Sequence, residues 1–511
     1  MSLKRNILTG YVSQIYVTLI GIVMVPFYVK YMGAEAYGLV GFFAMLQAWF
    51  QLLDMGLTPT MARETARFQG GGTDALSLRR LLRALEGIFI GVAIVGAIVL
   101  MAGASSIAGH WLNVQQLPLV EVEHAIMLMA LIVAMRWVCG LYRGAINGFE
   151  RLVWLSGFNA AIATARFVLV IPLFIYLGAS PTHFFVFQLA VAVVELLALV
   201  VQTYHLLPKV KLLANNPITP WDWTPLRSML KFSLSIAFTS SVWVLVTQTD
   251  KLVLSKLLPL ADYAYFSLAV LVAGGVLVVS GPISGALMPR MARLNAQGDD
   301  QGLLSIYREA TQLVASIAVP AALVLAFFAE QVLIAWTGDL VISQRAAPVL
   351  RLYALGNGLL ALAAFPYYLQ FAKGDLKLHL IGNIIFVVLL IPALIWATWT
   401  HGVIGAGYAW ITANCVYFLL WIPIVHARFF KELHAKWVTV DVGGIILVAV
   451  TVSFAISRIV HWPTNRLFLA MYLVFTGLFI CLMTFSYWYA LRMITQEILI
   501  KKNYFKFVKY L

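Results

Sequence analysis

The sequence predicts an all-α polytopic membrane protein with about fourteen transmembrane helices. Its composition is the first reason, since 62% of the 511 residues are hydrophobic, 11% are charged and the mean hydropathy is +0.91. That leaves too little polar surface for a soluble protein. The second reason is a series of apolar stretches of the roughly 20 residues that a helix needs to cross a bilayer. The third is that Lys and Arg concentrate in alternate connections.

The predicted spans follow one another with short connections. They cover residues 8–31, 36–57, 84–109, 119–141, 152–178, 182–207, 229–258, 261–287, 309–335, 346–371, 375–400, 402–427, 439–460 and 466–491. Lys4 and Arg5 precede the first span, which is too long for a signal-peptide core and lacks a small-residue cleavage site. We therefore expect an uncleaved transmembrane helix there.

The distribution of Lys and Arg predicts the orientation. Positive charges are retained in the cytoplasm, and most of them lie near the termini and in every second connection, as Arg63, Arg79 and Arg293 do. Both termini are therefore predicted to be cytoplasmic, with the chain in the inner membrane. Insertion orientation and contact with anionic membrane lipids account for the net charge of +14, so no nucleic-acid partner is expected.

An internal repeat predicts two lobes. MARETARF begins at Met61 and MARLNAQG at Met291, and the segments YMGAEAYG and LLPLADYAYF precede them at a similar offset. A duplication of six helices keeps both copies in one orientation and suits alternating access around a central cavity. The expected domains are an N-terminal six-helix lobe at 1–207, a cytoplasmic linker at 208–228, a C-terminal six-helix lobe at 229–427, two additional helices at 428–491 and a basic amphipathic tail at 492–511.

Charges inside the predicted spans indicate the functional site, because an ionisable group at bilayer depth is costly. Arg136, Arg166 and Lys251 are candidate contacts for a phosphate group. Arg166 and Glu195 fall near the middle of consecutive spans, and two readings stay open. Either they pair across a helical hairpin, or Arg166 contacts an anion while Glu195 serves as its counter-ion or as a proton or sodium site.

Asp250 and Lys251 are neighbours in the apolar stretch 240–258. Because adjacent residues are about 100° apart on a helix, we expect them to face different ways, with Asp250 at an outer gate or an ion-coupling site. Asp54 is a further candidate for a gate or coupling residue. Its place near a helix end also predicts that it fixes the neighbouring arginine-rich connection.

Neutral amide side chains within the spans are candidates for a sugar path, since an amide both donates to and accepts from hydroxyl groups. They are Gln14, Asn159, Gln248, Asn357, Asn383 and Asn414. A single amide in a span more often forms a helix-to-helix hydrogen bond, so the prediction rests on the set.

Two amphipathic stretches flank this core. Residues 73–86 place leucines opposite arginines and are expected to form a separate helix at the inner interface before the third span. The tail 492–511 interleaves lysines with apolar residues and is expected to bind anionic lipid.

Features of an enzyme are missing from the sequence. The three cysteines, Cys139, Cys415 and Cys481, lie in apolar runs without metal-ligand spacing, and no phosphate-binding loop for ATP occurs. We therefore expect a transporter without a cofactor, for which protons or sodium ions are the candidate coupling ions.

Five segments carry a resemblance to a known family. They are YMGAEAYG at 31–38, LLDMGL at 52–57, MARETARF at 61–68, GFERLVWLSGFNAAIATARF at 148–167 and TDKLVLSKLL at 249–258. Together they resemble the polysaccharide flippases of the multidrug, oligosaccharidyl-lipid and polysaccharide exporter superfamily.

The resemblance implies two six-helix lobes around a cationic cavity. It also implies a polyprenyl-pyrophosphate-linked oligosaccharide as substrate, moved from the cytoplasmic to the periplasmic leaflet for O-antigen, capsule or exopolysaccharide synthesis. A glycan polymerase and chain-length machinery are candidate partners. The last two spans are similar in number to the extra pair that forms a lipid-tail groove in lipid II flippases.

Two other functions stay open on the sequence. A cation-coupled multidrug extruder of the same superfamily would need a cavity rich in carboxylates, whereas buried Arg and Lys here are at least as many as buried acids. A non-transporting membrane scaffold of glycan assembly would tolerate neutralisation of those charges.

Overall fold

The computed structural model describes residues 3–208, 224–278 and 280–509, which are almost entirely helical and contain no β-strand. The first α-helices are α1 (Leu3–Met32), α2 (Ala34–Phe50), α3 (Leu57–Gln69), α4 (Ala75–Ala102), α5 (Ala104–Ser106), α6 (Leu119–Gly148), α7 (Leu152–Phe167), α8 (Val170–Leu177), α9 (Pro181–Leu206) and α10 (Thr224–Leu257). They are followed by α11 (Leu260–Val278), α12 (Ser280–Ala296), α13 (Asp300–Phe327), α14 (Ala329–Thr337), α15 (Leu340–Lys373), α16 (Lys377–His401), α17 (Val403–Val416), α18 (Ile422–Phe429), α19 (Leu433–Lys436), α20 (Gly444–Ile459) and α21 (Arg466–Lys509). Short 3-10 or π-helical segments at Gln51–Asp54, Ile107–Trp111, Tyr417–Trp421 and Trp437–Gly443 extend or join them.

The number of spans agrees with the sequence prediction. Among the described residues, 13 helical segments are long and apolar enough to cross a membrane, and each corresponds to one predicted span. The remaining predicted span, 229–258, falls on α10, whose side chains are described only from residue 241 onward. The predicted class, an all-α polytopic membrane protein, is confirmed.

The outward surfaces of the spans are apolar, as contact with lipid requires. On α4, Ile94, Val95, Ile98 and Val99 have 53% to 64% of their surface exposed, while Phe89 on another face of the same helix is fully buried. In water this pattern would be unfavourable, but in hydrocarbon the exposed side chains are in a matching solvent.

Helix starts follow local capping chemistry. The carboxylate of Asp74 accepts hydrogen bonds from the backbone N–H groups of Leu76 and Ser77 at 3.1 and 3.0 Å, and so fixes the first turn of α4. Asp339 begins α15 in the same way, by accepting from Val341 and Ile342.

The prediction of a separate interfacial helix at 73–86 is wrong. Residues 75–102 form one continuous helix, because Asp74 caps its start and no proline interrupts it. Four leucines of the expected lipid-facing side are instead buried in the protein core with residues of α6, at Leu78, Leu81, Leu82 and Leu85. The amphipathic pattern therefore records packing of α4 within the protein and not contact with the membrane surface.

The chain forms two compact units, Met1–Ala264 and Tyr265–Leu511. In the first, the largely buried α6 packs against α3, α4 and α9. In the second, α15 packs against α12, α13 and α17. The repeat itself stays a prediction.

Glycines allow α3 to approach α6 closely. A Cβ atom added to Gly144 would lie 2.6 Å from the carbonyl oxygen of Thr58, and one added to Gly148 would collide with the carbonyl oxygen of Ala62. The four-residue spacing of these glycines places them on one face of α6. They serve helix-to-helix contact at this end of α6.

The connection 112–118 helps to hold α10 within the first unit. The buried carboxylate of Glu35 accepts hydrogen bonds from the backbone N–H groups of residues 115–117 at 2.5 to 3.1 Å. Just before this connection, the indole N–H of Trp111 donates to the hydroxyl of Ser255 on α10 at 3.0 Å. By its contacts α10 therefore belongs with the first unit, although the repeat assigns it to the second lobe.

Two predicted segments fall largely outside the described residues. The linker 208–228 includes residues 209–223, which are not described. The tail 492–511 begins as the continuation of α21, which runs unbroken to Lys509, but its side chains are not described beyond residue 493. Lipid binding by the tail stays a prediction.

Candidate functional site: an arginine cluster in the first unit

Two arginines of the site lie on α6, a largely buried span of the first unit. Arg136 and Arg143 are seven residues apart, so two helical turns bring them to the same face. Arg166 comes from the last turn of α7 and Glu195 from the middle of α9. Arg136, Arg143, Arg166 and Glu195 are called the arginine cluster below.

Glu195 is the anionic centre of the arginine cluster. Its Oε1 lies 2.6 Å from Nη2 of Arg143, and its Oε2 lies 2.7 Å from Nη2 of Arg166. Only 3% of the Glu195 side chain is exposed, against 29% for Arg143 and 22% for Arg166. The carboxylate is therefore enclosed, while part of each of the two arginine side chains stays exposed.

Neutral amides, and not a second carboxylate, hold Arg136. Its Nη2 donates to Oε1 of Gln188 at 2.8 Å, and its Nη1 donates to Oε1 of Gln47 at 3.0 Å. The guanidinium also lies over the ring of Phe43, 5.2 Å from its centroid, in a cation–π contact. None of these partners carries a negative charge.

Asn159 completes the set of amides. Its Oδ1 accepts a short hydrogen bond from Nη1 of Arg143. Arg143 is thus bonded to the carboxylate of α9 through one nitrogen and to an amide of α7 through another. This arrangement fixes the guanidinium plane between two helices.

The cluster has an excess of positive charge. Three arginines face one glutamate, so three positive charges minus one negative charge leave a net charge of +2. The Nε–H groups of Arg136 and Arg166 are buried and have no hydrogen-bond partner among the residues that the structure describes. Buried charge and unpaired donors are both unfavourable unless an anion approaches. The arrangement is suited to binding a doubly charged anion through guanidinium groups.

Four sequence-predicted residues come together in this site: Arg136, Arg166, Glu195 and Asn159. Of the two readings of Arg166 and Glu195, pairing across the hairpin is observed. The pair does not neutralise the site, because Arg143 binds the same carboxylate and Arg136 adds a third charge.

Three residues of the site were missed by the sequence prediction: Arg143, Gln47 and Gln188. The predicted span ended at residue 141, whereas α6 continues to Gly148 and so includes Arg143. The seven-residue spacing from Arg136 was the available signal. Gln47 and Gln188 gave no comparable signal in the sequence, since a neutral amide in an apolar helix is common.

Asp250 and Lys251 lie elsewhere in the first unit, on α10. Nζ of Lys251 is 3.2 Å from Oδ1 of Asp250 and 2.5 Å from the carbonyl oxygen of Thr247. The expectation that the two side chains face different ways is therefore wrong, because the flexible lysine stem folds back along the helix. The partly buried Gln248 lies beside Thr247, with 3.5 Å between the two side chains.

Asp54 has a structural position at the start of α3. Its Oδ1 accepts from the hydroxyl of Thr58 at 2.5 Å and from the backbone N–H of Thr58 at 3.2 Å. Asp54 therefore binds the first turn of α3 and is not part of the arginine cluster, and its fixing of the arginine-rich connection stays a prediction. Gln14 is exposed on α1, next to Ser13, whose hydroxyl donates to the carbonyl oxygen of Ser156 on α7.

The remaining amides lie in the second unit. Both polar atoms of the buried Asn357 are used within the protein, since Nδ2 donates to the carbonyl oxygen of Ala273 and Oδ1 accepts from Trp410. Asn414 donates to the carbonyl oxygen of Trp410. Asn383 contacts the ring of His379, one turn earlier on α16. Asn357 therefore joins α15 to α11 and α17, whereas the bond of Asn414 lies within α17, and a sugar-path role for either residue stays a prediction.

The second unit contains a buried ion pair that the sequence did not predict. Asp441, fully buried in the π-helical segment Trp437–Gly443, accepts from Nε and Nη2 of Arg308 at 2.7 and 2.9 Å. Gln312 donates to the same carboxylate at 2.6 Å. These bonds attach the start of the thirteenth predicted span to α13. Among the described residues, no group of three His, Cys, Asp or Glu side chains is placed to hold a metal ion.

Comparison with solved structures shows the fold. The lipid II flippase MurJ in an inward closed conformation has a TM-score of 0.71 at 13% identity, covering 96% of this chain and 99% of the other. An inward-facing multidrug resistance MATE family transporter of the MOP superfamily has a TM-score of 0.65 at 18% identity, covering 80% and 95%. A MOP superfamily transporter from Pyrococcus furiosus, described as having a binding pocket of reverse polarity, has a TM-score of 0.51 at 16% identity, covering 83% and 95%.

Comparison of sequences gives the family. No curated protein sequence matches the chain significantly. A family model described as polysaccharide biosynthesis protein matches residues 3–295, which include all of the arginine cluster. The chain therefore belongs to the polysaccharide biosynthesis protein family, and it has the fold of the MOP superfamily transporters.

Proposed function

We propose that the protein is a flippase that moves a polyprenyl-pyrophosphate-linked oligosaccharide from the cytoplasmic to the periplasmic leaflet of the inner membrane. The product would serve the synthesis of O-antigen, capsule or exopolysaccharide. The observation that carries this proposal is that three arginines share a single carboxylate within the apolar helices of the first unit. Ionisable groups inside a membrane are costly and characteristically mark a substrate or ion pathway, and the excess of positive charge in this cluster favours an anion.

The charge of the arginine cluster matches this substrate. A diphosphate that is esterified at both ends keeps one ionised oxygen on each phosphoryl group, and so carries two negative charges. The cluster has a net charge of +2. Guanidinium groups bind phosphoryl oxygens through paired N–H donors, and the side chains of Arg143 and Arg166 are partly exposed.

The other parts of the substrate have separate requirements. The prenyl tail can stay in the bilayer beside the apolar outer surface of the spans. The sugar needs polar groups, for which Asn159 beside the cluster, the exposed Gln14 and the partly buried Gln248 and Lys251 are our candidates. Movement would follow alternating access of two six-helix lobes, with both termini in the cytoplasm.

Ion coupling by Glu195 or Asp250 is not part of the proposal. Both oxygens of Glu195 accept hydrogen bonds from arginines, and Oδ1 of Asp250 lies against the ammonium group of Lys251. Each of these carboxylates therefore already faces a cationic side chain of the protein. A multidrug extruder would need a carboxylate that can bind a cationic drug. The pairing of Glu195 and Asp250 with cationic side chains of the protein therefore disfavours that function for these two residues.

The test is a transport assay with the full-length protein in proteoliposomes. We expect translocation of a lipid-linked oligosaccharide with a diphosphate bridge, and no export of a cationic dye down a proton or sodium gradient. Dye export without oligosaccharide translocation would show that the extruder is correct. Absence of both activities in correctly inserted protein would favour the scaffold.

A further inference from the structure

We infer that Gln188 is a positioning residue that determines specificity, and that it makes the arginine cluster select a diphosphate over a monophosphate. This inference rests on the proposed function and assigns the selection to one side chain. Gln188 lies on α9, two turns before Glu195, and only 2% of it is exposed. It is a buried amide placed directly between two cationic residues.

The geometry of Gln188 joins Arg136 to Arg166. Its Oε1 accepts from Nη2 of Arg136 at 2.8 Å, and its Nε2 donates to the backbone carbonyl oxygen of Arg166 at 2.9 Å. Through this one amide, the side chain of Arg136 on α6 is linked by hydrogen bonds to the main chain of α7. The guanidinium of Arg136 is therefore held at a fixed distance from the end of α7 that carries Arg166.

The chemistry of the amide matters as much as its position. A glutamate would also accept from Arg136, but it would neutralise one positive charge and leave the cluster at +1. Gln188 and Gln47 hold the guanidinium through neutral oxygen atoms, so its full charge stays uncompensated by the protein. The buried Nε–H of Arg136 also lacks a hydrogen-bond partner among the described residues. The charge of Arg136 and this unpaired donor both favour the approach of an anion.

The net charge then sets the selectivity. A prenyl monophosphate sugar carries one negative charge and a prenyl diphosphate sugar carries two. A cluster of charge +2 among apolar helices favours the second, since an unmatched charge in a site of low dielectric is unfavourable. Lowering the net charge of the arginine cluster from +2 to +1 should make its affinities for the diphosphate and the monophosphate more nearly equal.

The experiment measures binding of two probes to the full-length protein in nanodiscs. The probes are a prenyl diphosphate sugar and a prenyl monophosphate sugar with the same prenyl chain and the same sugar. We expect the unmodified protein to prefer the diphosphate, and Gln188→Glu to reduce that preference by about tenfold or more. Gln47→Glu is the matched variant, because it adds the same charge at Arg136 without touching the carbonyl of Arg166.

A third variant separates charge from position. Gln188→Leu keeps the charge at +2 but releases Arg136 from α7, so we expect weaker binding of both probes with the preference for the diphosphate retained. Thermal unfolding of each variant checks that it is folded, and if Gln188→Leu unfolds, the two glutamate variants still decide. An unchanged ratio of affinities in folded Gln188→Glu and Gln47→Glu would overturn the inference. Failure of the unmodified protein to bind either probe would instead overturn the proposed function.

Discussion

Arg143 donates to Glu195 across 2.6 Å, and this bond joins the central helix α6 of the first unit to α9. The other oxygen of the same carboxylate accepts a hydrogen bond from Arg166. One buried acid thus organises arginines from two further helices. Because one acid is shared by two arginines, it fixes their positions and cancels only one of their two charges, which is the property that an anion site in a membrane protein requires.

Loss of Arg143 should impair transport. We expect Arg143→Ala to lower oligosaccharide translocation by about tenfold or more, because it removes one positive charge and a partly exposed arginine side chain from the site. Arg143→Lys keeps the charge but not the planar fork, so an intermediate rate is expected. The rates are measured in proteoliposomes at equal protein content. An Arg143→Ala protein with the unmodified rate would remove this residue from the site.

Loss of the acid should mainly affect stability. Glu195→Gln leaves three clustered guanidinium groups without a carboxylate, so a destabilisation of about 3–5 kcal/mol is expected for breaking a buried ion pair. Thermal or denaturant unfolding of the purified protein measures it. The control is Glu330→Gln, which removes the exposed pair of Glu330 with Arg351 and should change stability by about 1 kcal/mol or less. Equal effects of the two substitutions would contradict the central role of Glu195.

The ion pair of the second unit should be equally sensitive. Asp441→Ala leaves Arg308 and Gln312 without their shared acceptor, and we expect a loss of about 3–5 kcal/mol. Combining it with Arg308→Met removes the unpaired charge and should restore part of that loss. Unfolding measurements on the single and double variants test this. A double variant that is less stable than either single variant would show that the pair acts in another way.

The contact between α3 and α6 depends on small residues. Gly144→Val should destabilise the first unit by about 1–3 kcal/mol, because the added side chain meets the backbone of Thr58. Gly91→Val on α4 is the control, since no atom lies within 4 Å of the added Cβ. The yield and unfolding temperature of the two proteins give the comparison. A Gly144→Val protein as stable as the control would mean that α3 can move away without loss.

Much of the fold could be predicted from the sequence because a membrane limits the possible structures. A helix must satisfy its own backbone in hydrocarbon, so apolar length alone locates a span. The 73–86 stretch shows the limit of this reasoning. Its amphipathic pattern fits a membrane surface and a protein core equally well, and only the packing of Leu81 and Leu85 in the core of the first unit decides between them.

The site was predicted only in part, for a related reason. Arg136, Arg166 and Glu195 were found because charge in an apolar span is conspicuous. Arg143 was missed since the apolar run ends before α6 does, and Gln188 was missed because an amide carries no charge. Tertiary packing decides whether a polar side chain points into the protein or towards a site. Asn357 is an example, since its amide bonds to Ala273 and Trp410 within the protein.

The central claim is that the arginine cluster binds the diphosphate during translocation. Its most direct test is the rate at which Arg166→Gln protein moves a lipid-linked oligosaccharide across proteoliposomes, compared with Arg351→Gln, which removes an exposed arginine of the second unit. We predict that Arg166→Gln loses translocation while folded and inserted, and that Arg351→Gln keeps the unmodified rate. Translocation at the unmodified rate by Arg166→Gln would contradict the claim.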